Sequence, residues 1–416
     1  MTVMSTFKSQ ITTKMNNMKS LGKLVIMCAL SMLLAMGCKN DESVENVSSN
    51  DPTVDTTGEP TVEPEYPELR SEPGSMARGA DIGWLSEMEH DGKKFYNASG
   101  EATDCIELLG GLGCNAIRLR VWVDPYGGWS GKDDVVNMAV RARKAGLRLM
   151  IDFHYSDFFC DPSRQTLPYA WKDYTFEQVR EAIAAHTLDV LGAIKDKGLE
   201  PEWVQVGNEI TPGMVFPHGQ LWDSNGDLPN NYKNLSTMTN AGYEAVKQMF
   251  PNAKVILHCN NAFENKNWWY RRMKAAGAKF DVIGLSHYPM DNSSKTYSDM
   301  NKDAVSNLKL LVGEFGVPVM FVEFGTKSNN QSGALACVED FLARVKDLPL
   351  TSYAGVLYWE PQVWGSWKPS VYSSSDAAWN QYHVGTSTLN WGSYGMGAFT
   401  NAGQPNDALK RLMQGQ

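Results

Sequence analysis

The sequence predicts an α/β fold, a closed (β/α)8 barrel of the TIM class, as a single catalytic domain behind a signal peptide and a disordered tether. Three observations predict it. Eight short apolar runs recur between residues 77 and 361. Segments with helical periodicity separate them. Each run ends in polar or aromatic residues, as strands opening into one cleft should. An open doubly wound sheet would need no eighth strand, and no GxGxxG phosphate loop follows the first run.

The runs, in order, are ARGADIGWL (77–85), NAIRLRVWV (115–123), LRLMIDFHY (147–155), EWVQVGNEI (202–210), KVILHCN (254–260), FDVIGLSHY (280–288), VPVMFVEFG (317–325) and AGVLYWEP (354–361). Val, Ile, Leu and aromatics dominate them, which suits strands buried on both faces. Between them, VVNMAVRARKAG repeats apolar residues three and four apart and stops at Gly146. TFEQVREAIAAHTLDVLGAIKDKG does the same and stops at Gly198. NLSTMTNAGYEAVKQMF and ALACVEDFLARVKD share the pattern.

Ahead of the barrel, Lys14, Lys19 and Lys23 precede the apolar run LVIMCALSMLLAMG, which ends directly before Cys38. A charged region followed by so short an apolar run reads as a signal peptide and not as a membrane span. LAMGC resembles a bacterial lipoprotein cleavage box, which implies cleavage after residue 37 and acylation of Cys38. KNDE, following it, resembles the acidic surface-export tag of Bacteroidetes lipoproteins. The expectation is a surface-exposed protein held to the outer membrane by a lipid anchor. Residues 38–74 are rich in Ser, Thr, Pro, Glu and Asp, with no apolar periodicity. Such a segment cannot offset its ordering entropy and reads as a flexible tether. Residues 75–416 form the catalytic domain, and a monomer is expected.

The chain has 416 residues, a net charge of -9 and a pI near 5.4, with no basic stripe, so nucleic acid is not an expected partner. Its 13 Trp and 16 Tyr often stand beside Asn, Asp or Gly, a pattern suited to an aromatic-lined polar cleft that stacks on sugar faces. Five cysteines beyond the leader, at 105, 114, 160, 259 and 337, are irregularly spaced and form neither a disulfide framework nor a CxxC metal signature. They leave room for one disulfide in an oxidising compartment.

The strand ends supply the chemistry. Asp81 and Trp84 follow the first run; Arg118, Arg120 and Trp122 belong to the second; His154, Tyr155 and Asp157 follow the third. Asn208 and Glu209 end the fourth, and His258, Asn260 and Asn261 the fifth. His287 and Tyr288 end the sixth, Glu323 the seventh, and Trp359 and Glu360 the eighth. Glu209 and Glu323 stand out as a pair on strands four and seven. Two carboxylates flanking a glycosidic bond, one protonated and one ionised, are the standard apparatus for hydrolysing it. Arg118 is the candidate to keep the nucleophile ionised. Glu314 precedes the seventh strand and belongs to the opposite mouth. Glu360 reads as structural.

GADIGWL, NAIRLRVWVDP, DFHYSDFFCDPSRQTLPYAW, QVGNEITPGM and DVIGLSHYP resemble the endo-β-1,4-galactanases of glycoside hydrolase family 53, over roughly residues 77 to 412. The resemblance implies a retaining, endo-acting hydrolase of β-1,4-galactosidic bonds in pectic (arabino)galactan. Glu209 would be the general acid/base and Glu323 the nucleophile. Asn208 would bind the sugar 2-hydroxyl, and Arg118 would support the nucleophile. His154, Tyr288 and Trp359 would line the cleavage subsite, with Trp84, Asp81 and Asp157 assigned loosely to the cleft. The chain departs from the family pattern at Phe324, where Thr is usual, at His287, where Tyr is usual, and at Phe216, where Trp is common. No cofactor or catalytic metal is expected. Some family members bind structural calcium in the loop after the eighth strand, but residues 370–376 hold few carboxylates. The alternatives are a related retaining barrel glycanase acting on mannan or cellulose, which would keep both glutamates, and a non-catalytic surface glycan-binding lipoprotein, which would have lost one.

Overall fold

The computed structural model describes residues 66–292, 294–386 and 395–415. The leader, Cys38 and the tether as far as residue 65 lie outside the described residues. Eight parallel strands close into a barrel. They are β1 (Ala77–Asp81), β2 (Ala116–Val121), β3 (Arg148–Phe153), β4 (Trp203–Val206), β5 (Lys254–Cys259), β6 (Val282–His287), β7 (Val319–Phe324) and β8 (Tyr353–Trp359). Each of the eight apolar runs holds one strand, the eighth beginning one residue ahead of its run, at Tyr353. Neighbours pair in chain order, and β1 closes the ring on β8 from Ala77↔Gly355 to Asp81↔Trp359.

Besides two short helices, Leu85–His90 and Ala377–Val384, the α-helices among the described residues are α1 (Cys105–Gly111), α2 (Lys132–Lys144), α3 (Phe176–Lys195), α4 (Asn231–Met249), α5 (Asn267–Ala275), α6 (Tyr297–Phe315), α7 (Gln331–Val345) and α8 (Asp407–Gln414). The four amphipathic segments read from the sequence form α2, α3, α4 and α7. Gly146 and Gly198 each lie just beyond a helix with φ of +73° and +68°, the left-handed turn that ends it. A capping box between Thr175 and Gln178 starts α3.

Two shells explain why the strands read as apolar on both faces. Outward residues such as Ile117, Leu119, Ile151 and Phe321 pack against the helices. Inward residues, among them Ala116, Met150, Trp203, Ile256 and Leu357, fill the lower barrel. One or two pleats nearer the C-terminal mouth the inward positions turn polar, with Asp81, Arg118, Asp152, Gln205, His258 and Ser286 all buried.

Residues 66–74, which composition assigns to the tether, are docked on the opposite mouth. Tyr66 OH donates to Lys197 O at 2.7 Å, and Gly74 N to Glu202 Oε1 at 2.9 Å. Arg70 donates from Nε to Ala145 O at 2.6 Å and from its backbone N to Gly146 O at 2.7 Å. Carbonyls beyond the end of α2 need donors, and Arg70 supplies them. The ordered domain therefore begins before residue 75.

Candidate active site

The end of β4 is built to present a carboxylate. Gly207 follows the strand with φ of +83°, and a Cβ there would meet Ile210 Cγ2 at 2.6 Å. The chain turns sharply, and Glu209 itself has φ of +48°, a strained value for a non-glycine residue. Its side chain enters a cleft of about 450 Å³ at the C-terminal mouth, lined also by Arg118, His154, Asn208, Tyr288, Glu323 and Trp359. Glu323 comes from the far side, on β7. A register irregularity between Phe321 and Phe324 lets Val322 fill the barrel while Glu323 reaches the cleft. Carboxylate oxygens of Glu209 and Glu323 lie within 4.8 Å of each other.

The two glutamates meet different surroundings. Arg118 Nη2 is 3.1 Å from Glu323 Oε1, and Tyr288 OH donates to Glu323 Oε2 at 2.8 Å. Glu209 Oε1 lies 2.6 Å from Ser286 Oγ, and Glu209 has no ion pair among the described residues. Burial raises the pKa of both, but Arg118 and Tyr288 oppose it at Glu323. At Glu209, burial and the charge of Glu323 act together and push the pKa well above the ordinary carboxylate range. The shared proton therefore resides on Glu209, and Glu323 is the ionised partner.

Arg118 is the hub. Fully buried, it contacts Asp81 Oδ2 at 2.6 Å, Asp152 Oδ2 at 2.8 Å and Asn208 Oδ1 at 2.8 Å. Burial would raise the Asp152 pKa, yet Arg118 and His154 outweigh it and hold this carboxyl below its usual value. His154 accepts the Cys160 backbone N–H at Nδ1, 3.1 Å, so its Nε2 faces Asp152 at 3.0 Å as the donor. Asn208 Nδ2 donates to Cys160 O at 2.8 Å. Trp359 stands edge-on to Tyr288 and to Phe159, with ring centroids 6.1 and 6.3 Å apart.

Eight of the ten cleft residues expected from the sequence are thus together, and two are not. Trp84 is 1% exposed and packs edge-on against Trp122, Phe159 and Trp367, below the cleft. Its backbone is already helical, at the N-cap of the short helix Leu85–His90, and this turns the indole inward. Asp157 is equally buried and clamps loops. It accepts from Asp124 N (3.0 Å), Tyr169 N (2.8 Å) and His383 Nε2 (2.9 Å). Cys38 lies outside the described residues. Glu360 proves structural, ion-paired to Arg120 in the interior. His287 and Phe324, two of the departures from the family pattern, both face Phe341 of α7 and not the cleft.

The sequence reading missed Asp152, Gln205 and Ser286. Asp152 and Ser286 each sit two residues before a noted position, His154 and Tyr288, so the period of two along a strand was the available signal. Gln205 lies three residues before Asn208, which falls beyond the end of its strand. Asp161, Arg164, Tyr372 and Met396 also line the cleft from loops, where no periodicity points to them. A larger depression of about 990 Å³ lies at the opposite mouth, and Glu314 is on the outer surface, paired with Arg271. The depression's Glu202 and Asp281 are ion-paired to Arg148 and Lys247, which leaves no carboxylate pair there. The five described cysteines are free and buried. Among the described residues after β8, neither acidic side chain up to residue 386 is free to hold a structural calcium. Glu360 is committed to Arg120, and Asp376 caps the helix Ala377–Val384 by accepting from Trp379 N.

A parallel (β/α)8 barrel with a close, electrostatically unequal carboxylate pair on strands four and seven defines a barrel glycosidase. The chain belongs to Glycosyl hydrolase family 53, whose profile matches residues 77–411. It is 31% identical to an uncharacterized protein of Niallia circulans over 362 residues, covering 81% of this chain and 93% of the relative. It is 30% identical over 303 residues to arabinogalactan endo-beta-1,4-galactanase A of Aspergillus niger, covering 68% and 84%. Among solved structures, a fungal beta-1,4-galactanase superposes with a TM-score of 0.65 at 25% identity, covering 81% of this chain and 98% of that one. The family 53 catalytic domain of Ignisphaera aggregans gives 0.68 at 23% identity, covering 84% and 98%.

Proposed function

We propose that this protein is a retaining, endo-acting glycoside hydrolase that cleaves β-1,4-galactosidic bonds in pectic (arabino)galactan. The observation that carries the reading is the Glu209–Glu323 pair, within 4.8 Å at the mouth of a family 53 barrel. Retaining enzymes hold their carboxyl groups about 5–5.5 Å apart, whereas inverting ones leave room for a water between them. The galactanase relatives support the choice of substrate.

In this reading Glu323 attacks the anomeric carbon and forms a covalent glycosyl-enzyme. Glu209 gives its proton to the leaving sugar oxygen, then takes one from the water that hydrolyses the ester. Arg118 and Tyr288 keep Glu323 ionised and aimed. Asn208 meets the sugar 2-hydroxyl, while His154 and Trp359 line the subsite. Asp81, held against Arg118, positions the guanidinium. The leader and Cys38 support an outer-membrane lipoprotein facing its polysaccharide; loss of metabolic acyl labelling in Cys38→Ser tests that part.

The experiment is a time course of product release from linear β-1,4-galactan, with mannan and cellulose in parallel. Galactan alone is expected to yield internal-cleavage products. Glu209→Gln and Glu323→Gln are each expected to abolish turnover while keeping the wild-type fold by circular dichroism. Near-normal rates in either variant, or faster release from mannan or cellulose, overturn the reading.

A further inference from the structure

Ser286 stands between the two carboxylates. Its Oγ is 2.6 Å from Glu209 Oε1 and 3.3 Å from Glu323 Oε2. A third neighbour, His258 Nε2, is 2.8 Å away. The tautomer of that imidazole is set from its other side. Nδ1 faces Asn208 Oδ1 and Gln205 Nε2, each at 3.0 Å, and the Glu209 backbone N–H at 3.2 Å. A backbone N–H can only donate and Asn208 Oδ1 already accepts from Arg118, so the neutral ring carries its proton on Nε2 and gives it to Ser286 Oγ. The ring is neutral because complete burial, and then Arg118, hold its pKa well below the ordinary value. With His258 donating to Ser286, the hydroxyl proton is directed at the carboxylates. There is one proton for two acceptors.

We propose that Ser286, oriented by His258, is a shared hydrogen-bond donor that serves whichever carboxylate carries the charge: Glu323 before attack and Glu209 in the glycosyl-enzyme. This rests on the reading of Glu323 as nucleophile and Glu209 as acid/base. In the first step a bond forms from Glu323 to the anomeric carbon. The bond to the leaving oxygen breaks, and that oxygen takes the Glu209 proton. Negative charge has then moved from one glutamate to the other. A hydrogen bond to a charged acceptor is stronger than one to a neutral acceptor, so the hydroxyl rotates after the charge. No proton leaves Ser286 in either step. When water attacks, its proton returns to Glu209, Glu323 is freed as a carboxylate, and the hydroxyl turns back.

A shared donor makes a prediction that a dedicated one does not. The fully protonated pair offers Ser286 no charge. The singly ionised form offers one, and the doubly ionised form offers two, of which it can serve one. Removing the hydroxyl penalises the last two forms alike, so only the first ionisation moves. Ser286→Ala is therefore expected to shift the acid limb of the kcat/KM profile on galactan upward by about 1 pH unit and to leave the alkaline limb in place. A donor dedicated to Glu209 would move the alkaline limb instead. The other groups that surround the pair are unchanged by the substitution. Asp81, Arg118 and Asp152 stand behind Glu323, with His154 and His258 beside the pair and Tyr288 on Glu323. Asp161, Arg164 and Asp291 form the rim.

Ser286→Thr keeps a hydroxyl and is expected to restore the wild-type acid limb, which a packing role alone would not require. If Ser286→Ala does not fold, Ser286→Cys carries the test. Its weaker donor is expected to give a smaller upward shift of the same limb. An unmoved acid limb, or movement of the alkaline limb alone, overturns the shared donor. Such a result beside inactive Glu209→Gln and Glu323→Gln leaves the catalytic reading standing; activity in those two variants removes both.

Discussion

Arg120 offers a test of how the barrel mouth is held together. Its guanidinium is 1% exposed and ion-paired to the fully buried Glu360, with Asp81 Oδ1 at 3.9 Å. It lies against three rings, 4.3 Å from the Trp84 centroid, 4.8 Å from Trp122 and 4.7 Å from Phe159. Gly83 makes the room, because a Cβ at that position would overlap the guanidinium, 2.9 Å from Nη2 and closer still to its other atoms. Arg120→Met keeps an apolar filler and removes the charge. Leaving one member of a buried pair costs about 3–5 kcal/mol, and desolvated cation–π contacts add about 1–2 kcal/mol, part of which methionine recovers. A limit opposes the sum. Burial already pushes the Glu360 pKa up to about 7, with Arg120 pulling it down. Without Arg120 the carboxyl goes higher still and takes a proton near neutrality, so the loss settles at about 3 kcal/mol at pH 7.

That limit gives the assay its signature. An acid whose folded pKa lies above its unfolded value loses folded-state stability as pH rises between the two. Wild-type Glu360 already carries this loss up to about pH 7, so urea unfolding of Arg120→Met should show a deficit that is nearly constant from about pH 5 to 7 and grows toward pH 8. Glu360→Gln in the same background should remove that growth, because no carboxyl remains to titrate. A deficit under about 1 kcal/mol, below the range for a broken buried pair, refutes the reasoning. So does a deficit that is flat across pH 5–8.

Two further outcomes are expected. Asp157→Ala releases three donors from the loops after β2, β3 and β8. It should lower stability by about 3 kcal/mol, at about 1 kcal/mol per bond, and raise KM for the polymer more than it lowers kcat; an unchanged melting temperature contradicts the clamp. His287 is fully buried against Phe321, Phe324 and Phe341, with Asn301 Oδ1 2.8 Å from its Nε2, and burial lowers its pKa to about 4. The unfolded chain takes this proton first, so stability present above pH 6.5 falls by about 3 kcal/mol as pH drops toward 4. His287→Phe should flatten urea-derived stability over that window by one proton's worth, and an unaltered slope would count against it.

The strands were legible because burial on both faces leaves an unbroken apolar signature, and their ends were legible because polar residues there break it. Glu209 and Glu323 fall at such breaks, which is why a pair 114 positions apart could be read as one site. Asp152, Gln205 and Ser286 were hidden by the same logic. Each is a single polar residue inside an apolar run, and only the direction of its side chain separates a site residue from a tolerated exception. Direction follows from counting by twos while the register is regular. Here it slips between Leu285 and Ser286, and again within β7. The extra residue lies on β7, so Ser286 keeps the inward parity of Val282 and Gly284, while the slip decides that Glu323 reaches the cleft and Phe324 packs outward on Phe341. Beyond a strand end even parity is lost. Trp84 and Asp157 lie only a few residues past their strands, and there local turn geometry sends one under Arg120 and the other into the loops. The catalytic pair could therefore be read from where polarity interrupts the pattern. The groups that tune the pair follow from strand parity, and only the reach of Glu323 depends on an irregularity of register that no single sequence displays.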